Sequence, residues 1–254
     1  MTLLAVSALS KSFGSFKAVS DVGFTVLSGE MVALVGGNGA GKSTCFDMIG
    51  GQIAPDAGSI LLDGREMVGT PSYRLFRLGL GRTFQADQLF DSMTVCEAVQ
   101  ISLLSAGYRL FQPFASARRA HVLDAMQVLE EVGIAALAER PCGGLTHVER
   151  KWVELAMVIA DRPRLLLMDE PTAGMAPDDR AALMALVAGL TKTQGMGVLF
   201  VEEDLGVVFD HADRIMLMQS GRIVTQGSRI AMRDDPQMVA LLANKAIPPK
   251  APPV

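Results

Sequence analysis

Two short stretches of this chain combine residue types that can do chemistry. In VGGNGAGKST, Val35 to Thr44, the residues Gly36, Gly41, Lys42 and Ser43 fall at the spacing G-x-x-x-x-G-K-[ST]. A loop this poor in side chains lets successive backbone N–H groups turn inward and form a concavity for an anion. A helix starting near Gly41 adds the positive end of its dipole. Lys42 can then reach the outer phosphates, and the Ser43 hydroxyl can ligate Mg2+. Asn38, Gly39, Ala40 and Thr44 complete the nucleotide-binding stretch. In the second stretch, RLLLMDEPTAG from Arg164 to Gly174, an apolar run ends on Asp169 and Glu170. Asp169 is suited to holding Mg2+ through water. Glu170 is suited to orienting or deprotonating an attacking water. Together the two stretches predict a bound nucleoside triphosphate and chemistry on its phosphates.

Both stretches need a parallel sheet to bring them together. MVALV before the loop reads as a strand and KSTCFDMIGG after it as a helix. Leu165 to Met168 read as a buried parallel strand, whose carboxyl end is where open α/β sheets place ligands. The fold class predicted is α/β. Residues up to about 80 read as strands with a single helix, the one that follows the loop. SILLDG and RIMLMQSGRIVTQGS fit short strands, with a hairpin turn at Ser220-Gly221. From about 86 to 160 the period becomes helical, as in RRAHVLDAMQVLEEVGI. Strands and helices then alternate through RLLLMDE, a helix from about Pro177 to Thr193, and GVLFVEED. The proline-rich end, IPPKAPPV, reads as a disordered tail from about 244 to 254.

Composition narrows the class. Of 254 residues half are hydrophobic, enough for a sizeable core. A net charge of −4 and a pI near 5.4 argue against a nucleic-acid partner, which calls for a basic surface. Cys45, Cys96 and Cys142 show no metal-ligand spacing and read as buried, reduced thiols. The start of the chain lacks the pattern of a secretory signal. No apolar run approaches the ~18 residues that span a bilayer.

The two motifs, their order and the material between them resemble the nucleotide-binding subunit of ABC transporters, from about Leu3 to Leu242. The resemblance implies a P-loop NTPase fold of the ABC ATPase type: a RecA-like core, an antiparallel β subdomain and a helical subdomain in one domain spanning 1–254. Core and β subdomain would occupy about 1–85 and 161–243, the helical subdomain about 86–160. It implies ATP and Mg2+ as cofactors. It places Phe13 against the adenine, and Gln85, in GRTFQADQLFDSMTVCEAV, at a hinge reaching Mg2+ or the γ-phosphate. LGLGRTFQ and DEPTAGM resemble most the subunits that power uptake of branched-chain amino acids, urea and amides. The implied partners are a second ABC ATPase subunit, in a homo- or heterodimer, integral membrane permease subunits and, indirectly, a solute-binding protein. The implied location is peripheral, on the cytoplasmic face of the inner membrane. Leu89, Phe90 and Met93 would offer apolar contacts to a membrane subunit.

Three positions depart from the family pattern. Where the family has Leu-Ser-Gly-Gly-Gln, this chain has Leu145, Thr146, His147, Val148 and Glu149. Val148 adds bulk and Glu149 a negative charge where a partner's triphosphate would approach. Glu203 stands where the family usually has a histidine facing the γ-phosphate, and a carboxylate there cannot donate unless protonated. Ala176 replaces an aspartate that close relatives also often lack. The departures raise an alternative: a nucleotide-responsive subunit that binds ATP but hydrolyses it poorly.

Overall fold

The computed structural model describes residues 1–83, 89–106 and 121–246. Gln85, within Phe84 to Gln88, lies outside the described residues, as does IPPKAPPV. The chain opens with strands β1 (Thr2–Phe13), β2 (Phe16–Leu27) and β3 (Met31–Val35), then helix α1 (Lys42–Ile49). Strands β4 (Ala57–Leu62) and β5 (Arg65–Glu66), helix α2 (Ser72–Arg77) and strand β6 (Leu80–Arg82) follow. Next come helices α3 (Val95–Ala106), α4 (Val122–Val132) and α5 (His147–Ile159). Then β7 (Leu165–Asp169), α6 (Pro177–Gln194), β8 (Gly197–Val201) and α7 (Leu205–His211) alternate. The hairpin β9 (Arg214–Gln219) and β10 (Arg222–Ser228) and helices α8 (Arg229–Arg233) and α9 (Pro236–Ala246) complete the chain.

The strands form two sheets. One is antiparallel, in the order β2-β1-β4-β5. The other runs β10-β9-β3-β8-β7-β6, all parallel except β10 at its edge. The parallel strands β3, β7 and β8 are buried at every position because both their faces are covered. Alternate side chains divide between two cores. Val32, Leu34, Leu165, Leu167 and Leu199 join α1 and the antiparallel sheet. Met31, Ala33, Leu166, Met168 and Phe200 join α3 to α7. This is an α/β fold with a mainly parallel sheet covered on both faces, and it puts the carboxyl ends of β3, β8 and β7 side by side.

Local signals explain most element boundaries. Pro177 opens α6 with Asp178 and Asp179 in its first turn, and Gly195 ends it in the left-handed conformation. Ser220 and Gly221 both have positive φ, as a two-residue hairpin turn of type I′ requires. Two expectations are corrected. Helix α2 interrupts a stretch read as strand with one helix; Pro71 precedes it in extended conformation, and Leu75 anchors it in the core. Helix α9 carries through Ala246, past the expected start of the tail at 244. Asp235 caps it by accepting from the Gln237 and Met238 N–H groups, and Met238 and Leu241 bury its face. All three cysteines are free and buried.

Candidate active site

The glycine-rich loop is shaped by what crowds it from behind. A Cβ on Gly36 would collide with the Met218 carbonyl oxygen. Gly41 has φ of 103° and a Cβ there would stand 2.5 Å from the Ala18 carbonyl oxygen. Only glycine fits either position. The Ala40 carbonyl accepts from Gly221 N–H at 2.9 Å, and the Gly221 carbonyl accepts from Ser20 N–H at 2.8 Å. The β9–β10 turn and β2 thus grip the loop's outer side, leaving Gly37, Asn38 and Gly39 exposed. Helix α1 has no side-chain cap and no acidic residue in its first turn. Its N-terminal N–H groups therefore keep their capacity for an anion. Lys42 is buried, with Nζ donating to the carbonyls of Gly36 at 2.9 Å and Gly37 at 3.2 Å. Ser43 is exposed and Thr44 half-buried. A cavity of about 760 Å3 opens over Gly36 to Ala40, with Glu203, Met218 and Leu241 in its wall.

Asp169 and Glu170 stand two strands away, beyond β8. Asp169 is 6% exposed at the end of β7. Glu170 follows with φ of 49°, a left-handed conformation uncommon for a non-glycine residue, and its N–H bonds the Val201 carbonyl at 2.9 Å. The loop beyond is pinned by buried Glu202, whose Oε1 accepts from Thr172 N–H at 2.8 Å and Thr172 Oγ1 at 2.7 Å. Glu203 also borders the second cavity, of about 250 Å3, with Glu170, Gly174 and Arg180. Burial first, then the negative charges of Glu203, Asp169 and Glu202, push the Glu170 carboxyl above its ordinary range, against the pull of Lys42.

The structure therefore brings the loop, Lys42, Asp169 and Glu170 to one rim. Phe13 stands at the tip of the β1–β2 hairpin, about half exposed, with the Lys11 ammonium 5.7 Å from its ring centroid. It does not line the cavity over the loop. The described residues hold no group of three or more His, Cys, Asp and Glu fit to cage a metal. One hydroxyl and one carboxylate, Ser43 and Asp169, instead match the way Mg2+ is bound, by few protein oxygens plus substrate phosphates.

The departures at the start of α5 are absorbed locally. Val148 packs against the helical-side core. Glu149 forms a capping box with Thr146: its Oε2 accepts from Thr146 N–H at 2.7 Å, and Thr146 Oγ1 accepts from Glu149 N–H at 3.2 Å. Its other oxygen pairs with Arg140 at 2.5 Å. The Thr146 N–H, with help from Arg140, holds the Glu149 carboxyl below its ordinary range. His147 Nε2 lies 3.1 Å from the Ala173 carbonyl oxygen, joining the start of α5 to the loop after β7. Sequence reasoning missed Arg82 and Glu202. The run Glu202-Glu203-Asp204 after an apolar strand was the available sign for the latter.

Fold and site together define a P-loop nucleoside triphosphatase. Residues 19–173 match the family model described as ABC transporter. The chain is 33% identical over 251 residues to the high-affinity branched-chain amino acid transport ATP-binding protein BraF of Pseudomonas aeruginosa, covering 96% of this chain and 98% of that one. It is 38% identical to a probable ABC transporter ATP-binding protein of Azorhizobium caulinodans, over 88% of this chain and 76% of that one. Among solved structures, an ATP-binding cassette of an ABC transporter in its ADP conformation superposes with a TM-score of 0.84 at 29% identity, covering 96% and 99% of the two chains. The chain belongs to the ABC transporter family, as one of its ATP-hydrolysing subunits.

A carboxylate held above its ordinary value binds its proton more tightly in the folded chain than in the unfolded one. Glu170 therefore favours folding in acid, and that contribution is lost as pH rises from its ordinary value of 4.5 through the raised one. Glu170→Gln should raise the urea midpoint at pH 7 to 8, and the gain should shrink as the pH is lowered to about 4.5. Parallel urea titrations across that range check it; a gain independent of pH would contradict the assignment.

Proposed function

We propose that this chain binds and hydrolyses MgATP to power an importer of branched-chain amino acids or related small polar solutes. The observation that carries the reading is the phosphate loop and the Asp169-Glu170 pair at neighbouring ends of one parallel sheet, within a chain resembling BraF over nearly its full length. The loop's N–H groups and α1 hold the phosphates, and Lys42 exchanges the Gly36 and Gly37 carbonyls for phosphate oxygens. Ser43 and Asp169 would hold Mg2+, Asp169 through water, and the ion would supply charge neutralisation at the phosphates. Glu170, its pKa raised and its backbone held to β8, orients the attacking water and takes its proton. Phe13 contributes the adenine contact. Gln85, outside the described residues, is assigned to the metal or γ-phosphate by the family resemblance alone.

Surface features support the proposed partners. A cavity of about 510 Å3, mainly apolar, lies between the core and the helices, lined among others by Tyr73, Phe76, Leu89, Met157 and Val158. It suits a short apolar helix on the cytoplasmic side of a membrane permease. Phe90, 64% exposed beside it, and Met93 extend that contact. None of the described helices is long and apolar enough to cross a membrane, which fits peripheral attachment. A second ATPase subunit completes the site by presenting the start of its own counterpart of α5. With Val148 and Glu149 engaged locally, the alternative reading of poor hydrolysis rests on Glu203, the departure that borders the cavity over the phosphate loop and the one beside Glu170. Turnover of the assembled complex discriminates the two: Glu203→His raises it about tenfold or more on the alternative, by analogy with losing one preorganised donor, and leaves it unchanged on the main reading.

Lys42→Ala should weaken ATP binding at least about a hundredfold, since it removes the compensating charge from a partly buried polyphosphate. Calorimetry with MgATP measures this, and unchanged affinity would refute the site. In the assembled complex, a crosslinker placed on Leu89→Cys should capture a permease subunit. Capture of only the other ATPase subunit would move the docking surface elsewhere.

A further inference from the structure

Arg82 is the last residue of β6, the outermost strand of the parallel sheet. It sits opposite Leu167 in the parallel register, and Asp169 lies two residues further along β7. Side chains two apart on a strand share a face, so Arg82, Leu167 and Asp169 all point to the side covered by α1. Side-chain contacts follow that geometry. Arg82 Nη2 donates to Asp47 Oδ1 of α1 at 2.8 Å and lies 3.9 Å from Asp169 Oδ2. Nη1 reaches the Phe46 carbonyl at 3.3 Å. All three side chains are largely buried: 12% exposed for Arg82, 28% for Asp47 and 7% for Asp169. One guanidinium thus spans α1 and the end of β7, two segments more than 100 residues apart in sequence.

A second observation points to the same arrangement. Gly50, at the end of α1, has φ of −74°, which any residue adopts. Yet a Cβ there would stand 2.6 Å from Arg82 Nη1. The position has no conformational need for glycine; what glycine supplies is room for the guanidinium. Moreover, Arg82 Nε is buried without a hydrogen-bond partner among the described residues. The fork is oriented toward the two carboxylates rather than toward using all its donors.

We propose that Arg82 is a positioning residue of the ATP site, fixing the Asp169 carboxylate relative to α1. Helix α1 carries Lys42 and Ser43 at its other end. The spacing between Ser43 and Asp169 is therefore set by Arg82 as well as by the backbone, and these two side chains would hold Mg2+ from a fixed separation. The inference rests on the reading that Ser43 and Asp169 hold Mg2+. Residues orienting a metal ligand typically matter by 10- to 100-fold in metal affinity. The 3.9 Å separation, longer than a hydrogen bond, places Arg82 at or below the lower end of that range.

The test is calorimetric ATP binding to the full chain, with Mg2+ and with EDTA, so that no turnover is needed. Arg82→Met should weaken binding at least about fivefold in Mg2+ and less than about twofold in EDTA, a cautious discount on the orienting effect. In an Asp169→Asn background, Arg82→Met should cost less than about twofold in Mg2+, because its effect passes through the missing carboxylate. Gly50→Ala keeps the charge but displaces it, and should weaken binding in Mg2+ alone; it carries the test if Arg82→Met fails to fold. Equal losses with and without Mg2+ would mark a purely structural role and overturn the proposal. So would additive losses in the double variant, or full affinity in both Arg82→Met and Gly50→Ala. If Asp169→Asn itself leaves the Mg2+ dependence intact, the metal-site reading fails, and the proposal with it.

Discussion

The site depends on a close approach that excludes side chains. Three segments meet behind the phosphate loop: the start of β2, the β9–β10 turn and the loop itself. Gly36 abuts the Met218 carbonyl, while Gly41 and Gly221 both abut the Ala18 carbonyl. Each contact occupies the space a Cβ would need. The backbone bonds from Gly221 to Ala40 and from Ser20 to Gly221 then hold the loop at that distance. A loop of small residues would otherwise be among the freest parts of a chain. Here it is braced from behind, so its N–H groups keep their direction without a ligand. Such prior ordering lowers the entropy cost of binding a polyphosphate.

The parallel sheet contributes the second half of the arrangement. β8 lies between β3 and β7, so the loop and the Asp169-Glu170 pair are separated by one strand's width on either side of Val201. Strands spaced about 4.8 Å apart put the two ends within reach of one triphosphate. Because both faces of the sheet are packed, the one by α1 and the antiparallel sheet, the other by α3 to α7, sliding any strand by one residue would exchange its side chains between the two cores and lose their fitted packing. Core packing and active-site spacing are thus the same constraint, and Arg82 adds to it at the edge strand β6, which among the described strands pairs with β7 alone.

What the sequence revealed and what it concealed divide along locality. The phosphate loop, the apolar strand ending on Asp169-Glu170, the Ser220-Gly221 turn and the Pro177 helix start are written within a few neighbouring residues, and all were legible. So was the helical period expected from about 86 to 160, within which α3, α4 and α5 lie. Arg82 was not, because its partners Asp47 and Asp169 come from segments that meet only when β6 pairs with β7 and packs on α1. Glu149 was read as a charge set against phosphate, since Arg140, nine residues upstream, could not be placed beside it. Val148 was read as surface bulk because a helix start does not fix which face meets the core until its neighbours are known. Phe13 shows the converse: the resemblance assigns it to the adenine, while the structure places it at the β1–β2 hairpin tip, away from the lining of the loop cavity. Gln85 falls outside the described residues.

Five acidic residues cluster near a single loop lysine, and their local partners separate their roles. Glu202 accepts two bonds from Thr172 and is spent on holding the loop after β7. Asp204 pairs with Arg180 at 2.6 Å and accepts from the Gly206 N–H at the start of α7. Asp169 is buried, with the Arg82 guanidinium 3.9 Å away. Glu203 is exposed to the phosphate cavity. Glu170 alone combines partial burial, a raised pKa and a carboxylate without a hydrogen bond or ion pair among the described residues. A general base works best when its affinity for a proton is raised and nothing else claims its lone pairs. Glu202 and Asp204 are disqualified by their bonds and Asp169 by its neighbouring cation, so the division of labour follows from the partners each carboxylate already has. It also gives Glu203 a role without a bond of its own to phosphate: its charge is the largest electrostatic influence raising Glu170 after burial. The residue that departs from the family pattern thereby acts on the one carboxylate free to take the proton.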